Sequence, residues 1–310
     1  MASASQKVWT GFRSVLCPID FSQQSRLALK YAQAVALRGS AALTVTFAND
    51  PLLVAAAAAA LHDRNIARRS ASELRAFVNT TLAASSKRRL RVRSEVSTGE
   101  PTDEIIKTAN RRRSDLIVLG THGLTGTDRL LLGSTTLSVL QQTSIPVLAI
   151  PRVSQSPTGA LLRSWPGQRI VAALDLEDDP SREVDTAARV AQGFGSSLLL
   201  LHVVDRISAP AWIKAALSSH ERIRLAQAQQ QMEEVSRRAQ RRVKTDMRVI
   251  CGRVSDEIAA LVASERVGLT ITALRDRRGW FGSRRGSVSY HVLSHAVTSV
   301  LAYPPRWRPR

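Results

Sequence analysis

Three glycines that follow an apolar segment are the residues of this sequence best suited to chemistry. Gly120 comes directly after Leu116–Leu119, and Gly123 follows three residues later. Gly133 comes after nine intervening residues, just before Ser134. Because glycine has no β-carbon, such a loop can bring its backbone amides close to phosphate oxygens and can adopt positive φ angles. The spacing therefore predicts a phosphate-binding loop between a strand and a helix. The alternative is that the glycines only form a tight strand-to-helix connection.

Side chains near this loop also have two interpretations each. Asp20, which ends the apolar segment beginning at Val15, can accept hydrogen bonds from ribose hydroxyls or adenine, or it can cap the following helix. Ser134 can cap its own helix or bond a phosphate. Thr121 and His122 lie on the loop, where they either reach phosphate or are merely solvated.

These segments together resemble the universal stress protein family. The pattern is Gly-x2-Gly-x9-Gly-Ser, with Val15–Ser22 before it and Ile145–Ile150 after it, and it covers one family domain, about residues 10–152. The resemblance implies ATP, with Mg²⁺, as the ligand, its phosphates and ribose held by the glycine loop. Backbone near Phe47 is then expected to frame the adenine, and Leu119 to pack on the base or sugar. The candidate nucleotide-binding residues are Pro18, Asp20, Phe47, Leu119, Gly120, His122, Gly123, Gly133, Ser134 and Thr135.

The sequence contains an internal repeat. Leu269–Tyr303 aligns without gaps to Leu116–Ile150, and Ile170–Asp175 repeats Val15–Asp20. With 310 residues the chain is long enough for two such domains. We therefore expect domains at residues 1–152 and 169–305, a linker at 153–168 and a basic tail at 306–310.

Alternating apolar and amphipathic segments predict an α/β fold. In the first copy, strands are expected near 13–19, 42–48, 90–96, 115–120 and 146–150, and helices near 23–38, 58–85, 102–112 and 134–142. This order predicts a parallel sheet with right-handed crossovers. Together with the resemblance it implies two flavodoxin-like, Rossmann-like open parallel sheets of five strands, each flanked by helices. The ligand crevice is expected where strands one and four end, at Asp20 and Gly120.

The second copy departs from the glycine pattern. Ala273 and Asp276 stand where the first copy has Gly120 and Gly123, although Asp175, Gly286 and Ser287 are retained. A carboxylate near phosphates adds like-charge repulsion. We therefore expect a degenerate second site that is empty or weak. A rearranged loop that binds through its arginines is the alternative.

The charge is strongly basic. The net charge of +19 comes from 44 basic and 25 acidic residues and is spread over both halves. Such an excess attracts polyanions at low salt. Because the chain carries no nucleic-acid motif and only 5% aromatic residues, no sequence-specific nucleic-acid binding is expected.

The cysteines and the apolar runs indicate the cellular compartment of the protein. Two cysteines, Cys17 and Cys251, make neither a disulfide framework nor a metal site, which fits a reducing compartment. The longest apolar run, Leu52–Leu61, is too short to span a bilayer. We expect a cytoplasmic protein without membrane insertion.

Three function classes are open, since no catalytic motif is found. They are a regulatory module that binds an adenine nucleotide in a stress response, a nucleotide-independent scaffold, and a slow ATPase or autokinase. In the resembled family the last strand pairs across a dimer. The tandem chain is therefore expected to pair its two halves internally, as a pseudo-twofold dimer. A further homodimer and an unidentified protein partner are also compatible with the sequence.

Overall fold

The computed structural model describes residues 9–61, 65–82, 89–121, 132–152, 159–176, 179–206, 210–265, 267–274 and 288–309. The predicted site residues His122, Gly123, Asp276, Gly286 and Ser287 lie outside these ranges. The described chain divides into two compact units. The N-terminal unit consists of Gly11–Trp165 and Leu301–Trp307. The C-terminal unit consists of Pro166–Val300 with the described residues Trp9, Thr10, Arg308 and Pro309.

The N-terminal unit is an α/β structure built on a parallel sheet. Its strands are β1 (Ser14–Pro18), β2 (Ala42–Asn49), β3 (Val92–Thr98), β4 (Leu116–Gly120) and β5 (Val147–Ile150). Its helices are α1 (Gln23–Gly39), α2 (Pro51–Leu61), α3 (Ile66–Thr81), α4 (Pro101–Arg111), α5 (Ser134–Gln142) and α6 (Gly159–Ser164). The strand order is β3-β2-β1-β4-β5 with parallel pairs, which confirms the predicted α/β class.

Strand β1 lies at the centre of this sheet and is apolar because both of its faces are covered. Val15, Leu16 and Cys17 are all fully buried. Burial raises the pKa of the Cys17 thiol, so this cysteine stays protonated.

The start of β1 is tied to the start of β4. The carboxylate of Asp115 accepts hydrogen bonds from the backbone N–H groups of Arg13 (2.8 Å) and Ser14 (2.9 Å). Burial raises the pKa of Asp115 more than these N–H groups lower it. The two strands are thereby aligned at their amino ends, which fixes where their carboxyl ends lie.

The prediction of one helix near 58–85 is wrong, because two helices occupy this region. Helix α2 begins earlier, at Pro51, a residue that the first turn of a helix accepts because its missing N–H needs no partner there. Helix α3 begins separately after Asn65. The alanines of α2 have no hydrophobic periodicity from which this boundary could be located.

The C-terminal unit repeats the alternation of strands and helices, with one long helix in the place of α2 and α3. Its strands are β6 (Arg169–Ala173), β7 (Ser197–Asp205), β8 (Thr245–Gly252) and β9 (Leu269–Ala273), and β10 (Ser299–Tyr303) begins in this unit. Its helices are α7 (Ser181–Phe194), α8 (Ala211–Gln240), α9 (Val254–Ser264) and α10 (Val288–Ser294). The strand order is β9-β6-β7-β8 with parallel pairs.

Trp9 is part of the core of the C-terminal unit. Its ring packs edge-on against Phe194 with a centroid separation of 5.5 Å, and it is 5% exposed. A β-carbon at Gly193 would lie 2.5 Å from the Trp9 ring, so the glycine makes room for the indole. The predicted domain boundaries at 152, 168 and 305 stay a prediction.

None of the helices in the described part of the chain is long and apolar enough to cross a membrane.

Candidate functional site

The candidate site lies at the carboxyl edge of the N-terminal sheet. Strands β1 and β4 are neighbours in register, with Val15 opposite Leu116 and Leu16 opposite Ile117. Asp20 follows the end of β1 and Gly120 is the last residue of β4. The topology therefore brings these two predicted residues to one edge of the sheet, although a hundred residues separate them in the sequence.

Helix α5 begins at this edge, next to the end of β4. Its N-cap is Gly133, and no side chain among the described residues caps it. In contrast, α1 is capped by Ser22, whose Oγ accepts from the N–H of Ser25, and α4 by Glu100, whose carboxylate accepts from the N–H of Asp103. An uncapped helix N-terminus presents N–H groups and a partial positive charge, which favour a bound anion.

Short hydrogen bonds fix both ends of the glycine loop. The N–H of Gly133 donates to the carbonyl of Thr121 (2.7 Å), and the N–H of Thr121 donates to the carbonyl of Ile150 (2.9 Å). The hydroxyl of Thr136 donates to the carbonyl of Gly120 (2.7 Å). The start of α5 is thus held against the end of β4.

Asp20 structures the turn that leads into α1. Its Oδ1 accepts a hydrogen bond from the N–H of Ser22 at 3.0 Å, while Ser22 itself caps the helix. Ser22 therefore caps the helix, whereas Asp20 stabilises the turn that precedes the cap. The Asp20 side chain is half-buried at the sheet edge.

The cap suggests a test of this turn. We expect Ser22→Ala to lower the free energy of unfolding by about 1 kcal/mol, because an N–H at the start of α1 loses its acceptor. Chemical denaturation followed by circular dichroism measures the change. The matched variant Ser22→Asn keeps an acceptor and should lose less; equal losses for the two variants would contradict the capping role.

Three aromatic rings at this edge were not predicted as a group. Phe21 lies 4.7 Å from Phe47 and 5.6 Å from Phe77 by ring centroids, and the guanidinium of Arg26 lies 4.3 Å from the Phe77 centroid. Phe21 has a φ of +62°, which is unusual for a residue with a β-carbon. Its place directly after Asp20, just beyond the end of β1, was the sequence signal that could have identified it.

Neither Gly120 nor Gly133 has a positive φ, and the φ of Gly133 is −57°. The expected use of these glycines for positive φ is therefore wrong at these two positions. Their remaining role is to leave the backbone open, while the left-handed conformation at this edge belongs to Phe21.

The other predicted residues of the N-terminal site are placed as follows. Pro18 and Leu119 are buried in the sheet, and Phe47 is half-buried near the end of β2. Ser134 is exposed and Thr135 is half-buried in the first turn of α5. These residues lie near the ends of β1, β2 and β4 or in the first turn of α5, and their role in a nucleotide site stays a prediction.

The corresponding edge of the C-terminal unit is acidic. A cleft of about 680 Å³ is lined by Asp175, Asp205 and Glu234, with His202 and Arg224 among its other residues. Nδ1 of His202 lies 3.0 Å from the carbonyl oxygen of Leu174. Ala273 ends β9. Three carboxylates in one cleft disfavour phosphate binding there.

Both units match one family. The model of the universal stress protein family matches residues 11–151 and 167–304. The chain belongs to the universal stress protein family. The resemblance predicted from the glycine loop is therefore confirmed, as is the presence of two family domains in tandem.

Individual relatives cover different shares of the chain. Universal stress protein MJ0531 of Methanocaldococcus jannaschii is 38% identical over 63 residues, which are 20% of this chain and 37% of that protein. Universal stress protein MJ0577 of the same organism is 25% identical over 167 residues, 46% of this chain and 96% of that protein. The chain therefore spans little more than a third of the first relative and nearly all of the second.

A solved structure of a putative universal stress protein from Pseudomonas aeruginosa has the same fold. It superposes with a TM-score of 0.61 at 18% sequence identity, covering 96% of this chain and 94% of that one. At this identity the likeness extends to the fold alone.

Proposed function

We propose that this universal stress protein is a regulatory module that binds an adenine nucleotide, ATP with Mg²⁺, in its N-terminal unit. The observation that carries the proposal is the start of α5, which has Gly133 as its N-cap and no side-chain cap among the described residues. It lies beside Gly120, to which Thr136 anchors it. The phosphates lie against the first amides of α5, where Ser134 and Thr135 add hydroxyl donors.

The remaining parts of the nucleotide are assigned to the neighbouring strand ends. Asp20, whose carboxylate also accepts from the N–H of Ser22, accepts hydrogen bonds from the ribose hydroxyls. The adenine lies near Phe47 at the end of β2, where Phe21 and Phe47 form an apolar wall. Gly123 and His122 complete the loop in this proposal on sequence grounds alone.

In this proposal the C-terminal unit has no equivalent nucleotide-binding site. Its carboxyl edge carries Asp175, Asp205 and Glu234, and Ala273 takes the place of Gly120. We propose that this unit serves as the internal partner of the N-terminal one, and that bound nucleotide regulates contacts with a protein partner.

Mass spectrometry of the denatured, freshly purified protein tests the nucleotide. We expect an adenine nucleotide at close to one copy per chain. The matched variant Gly123→Asp places the second copy's carboxylate in the loop and should purify without it. Wild-type protein free of nucleotide that also fails to bind added MgATP would contradict the proposal and favour a nucleotide-independent scaffold.

A further inference from the structure

A second concave surface of the C-terminal unit is lined by arginines. It is a groove of about 1150 Å³ between α7 and α8, and five arginines line it against three carboxylates. The arginines are Arg189, Arg237, Arg238, Arg241 and Arg242. We call this surface the arginine groove. It adjoins the acidic cleft of the same unit, with which it shares the lining residues Leu176, Gln231 and Glu234.

One ion pair fixes the two helices of the groove against each other. Arg238 of α8 donates from Nε and Nη2 to the two carboxylate oxygens of Asp185 on α7, at 2.9 and 2.7 Å. Such a two-point contact orients both side chains. Asp185 is thereby occupied by Arg238, although Arg189 stands one turn further along the same helix, at the spacing that usually forms a pair.

Three other arginines of the groove pair with none of the carboxylates that the structure describes. Within the described residues, Arg189, Arg237 and Arg241 have no carboxylate within ion-pair distance, and Arg237 makes only a bond from Nε to the carbonyl of Glu233. Arg189 is half-buried on α7, Arg237 lies in the last turn of α8, and Arg241 is the C-cap of that helix, one turn later. Their positive charges therefore face one groove uncompensated.

The acidic side of the lining does not remove this excess. Asp179 accepts a hydrogen bond from the N–H of Ser181 at the start of α7, and Glu234 lies one turn before Arg238 on α8. Both positions precede the Asp185–Arg238 pair along their helices, whereas Arg189 and Arg241 follow it. Glu177 and Asp178 lie outside the described residues. Five arginines against three carboxylates thus leave the described lining of the groove with a net positive charge.

We propose that the arginine groove binds an oligophosphate, a short chain of phosphate groups. Guanidinium groups bind phosphate oxygens through paired N–H donors, and several within one turn of each other match charges that are closely spaced. No aromatic ring is among the described residues that line the groove, so none of them stacks on a nucleobase. This favours a ligand that consists of phosphate alone over a nucleic acid.

Calorimetric titration with sodium tripolyphosphate at low ionic strength tests the proposal. The protein titrated is the full-length variant Gly123→Asp, so that the proposed nucleotide site contributes little to the measured heat. We expect the further double variant Arg189→Ala/Arg241→Ala to weaken binding at least tenfold. The matched control Arg222→Ala/Arg253→Ala removes the same charge from exposed positions of the same unit outside the groove, and should change the affinity less than twofold.

The outcomes separate the alternatives. Equal losses in the two double variants would overturn the groove in favour of general charge attraction, and absence of binding in the parent protein would also overturn it. Groove-dependent binding of hexaglutamate or of a single-stranded thymidine oligomer that is tighter than that of tripolyphosphate would overturn the ligand class. If thermal melting shows that the alanine variant is unfolded, Arg189→Gln/Arg241→Gln replaces it with the same expected loss.

Discussion

Replacing Leu148 with proline is expected to unfold the N-terminal unit. Leu148 is 1% exposed in β5 and lies opposite Val118 of β4. Proline cannot donate to the ladder, and the loss of a buried leucine side chain alone costs about 2–5 kcal/mol. Since a whole domain is stable by only about 5–15 kcal/mol, the variant should lose most of the N-terminal unit's stability. Hydrogen exchange followed by mass spectrometry measures the loss, segment by segment.

The control for this variant is Leu148→Met, which conserves volume and keeps the N–H donor. It should cost less than about 1.5 kcal/mol. If Leu148→Pro leaves β1 and β4 as protected from exchange as in the wild type, β5 is not the structural strand described above. We also predict that the proline variant disrupts the internal pairing that we propose for the two halves, and limited proteolysis between the units measures that effect.

A carboxylate at position 134 is expected to abolish most nucleotide binding without loss of stability. Ser134 is the exposed first residue of α5, so the side chain of Ser134→Asp would lie where we place the phosphates. The repulsion should weaken MgATP binding at least tenfold, which is about 1.4 kcal/mol. An acidic residue in the first turn of a helix is itself favourable, by about 0.3–1 kcal/mol, so the melting temperature should not fall.

The matched control for this variant is Ser134→Asn, which has the size of aspartate without its charge. Affinity for MgATP should fall much less in Ser134→Asn than in Ser134→Asp. Equal affinities in the two variants would show that no phosphate lies near the start of α5, even if nucleotide binds elsewhere.

Much of the fold could be predicted because its signals are local. The uninterrupted apolar residues of β1 indicate a strand covered on both faces, and Gly133-Ser134 marks the start of α5. The boundary between α2 and α3 could not be predicted, because a run of alanines favours a helix without indicating where it ends. The positive φ of Phe21 could not be predicted either, since phenylalanine rarely adopts that conformation.

The candidate site likewise has features that the sequence predicts and features that it does not. The meeting of Asp20 and Gly120 follows from the topology of a parallel sheet, so sequence order was enough. The hydrogen bond from Gln24 Nε2 to the carbonyl of Ile150 (2.7 Å) joins residues 126 positions apart, and no local pattern announces it. The packing of Phe21 on Phe47 likewise depends on how α1 and β2 are placed.

The most direct test of the central claim is calorimetric titration of the full-length, nucleotide-free protein with MgATP. The account predicts one binding site per chain, which Ser134→Asp weakens at least tenfold and Ser134→Asn largely preserves. Two equal sites per chain would contradict the assignment of the nucleotide to the N-terminal unit alone, and no binding at millimolar MgATP would contradict the nucleotide site itself.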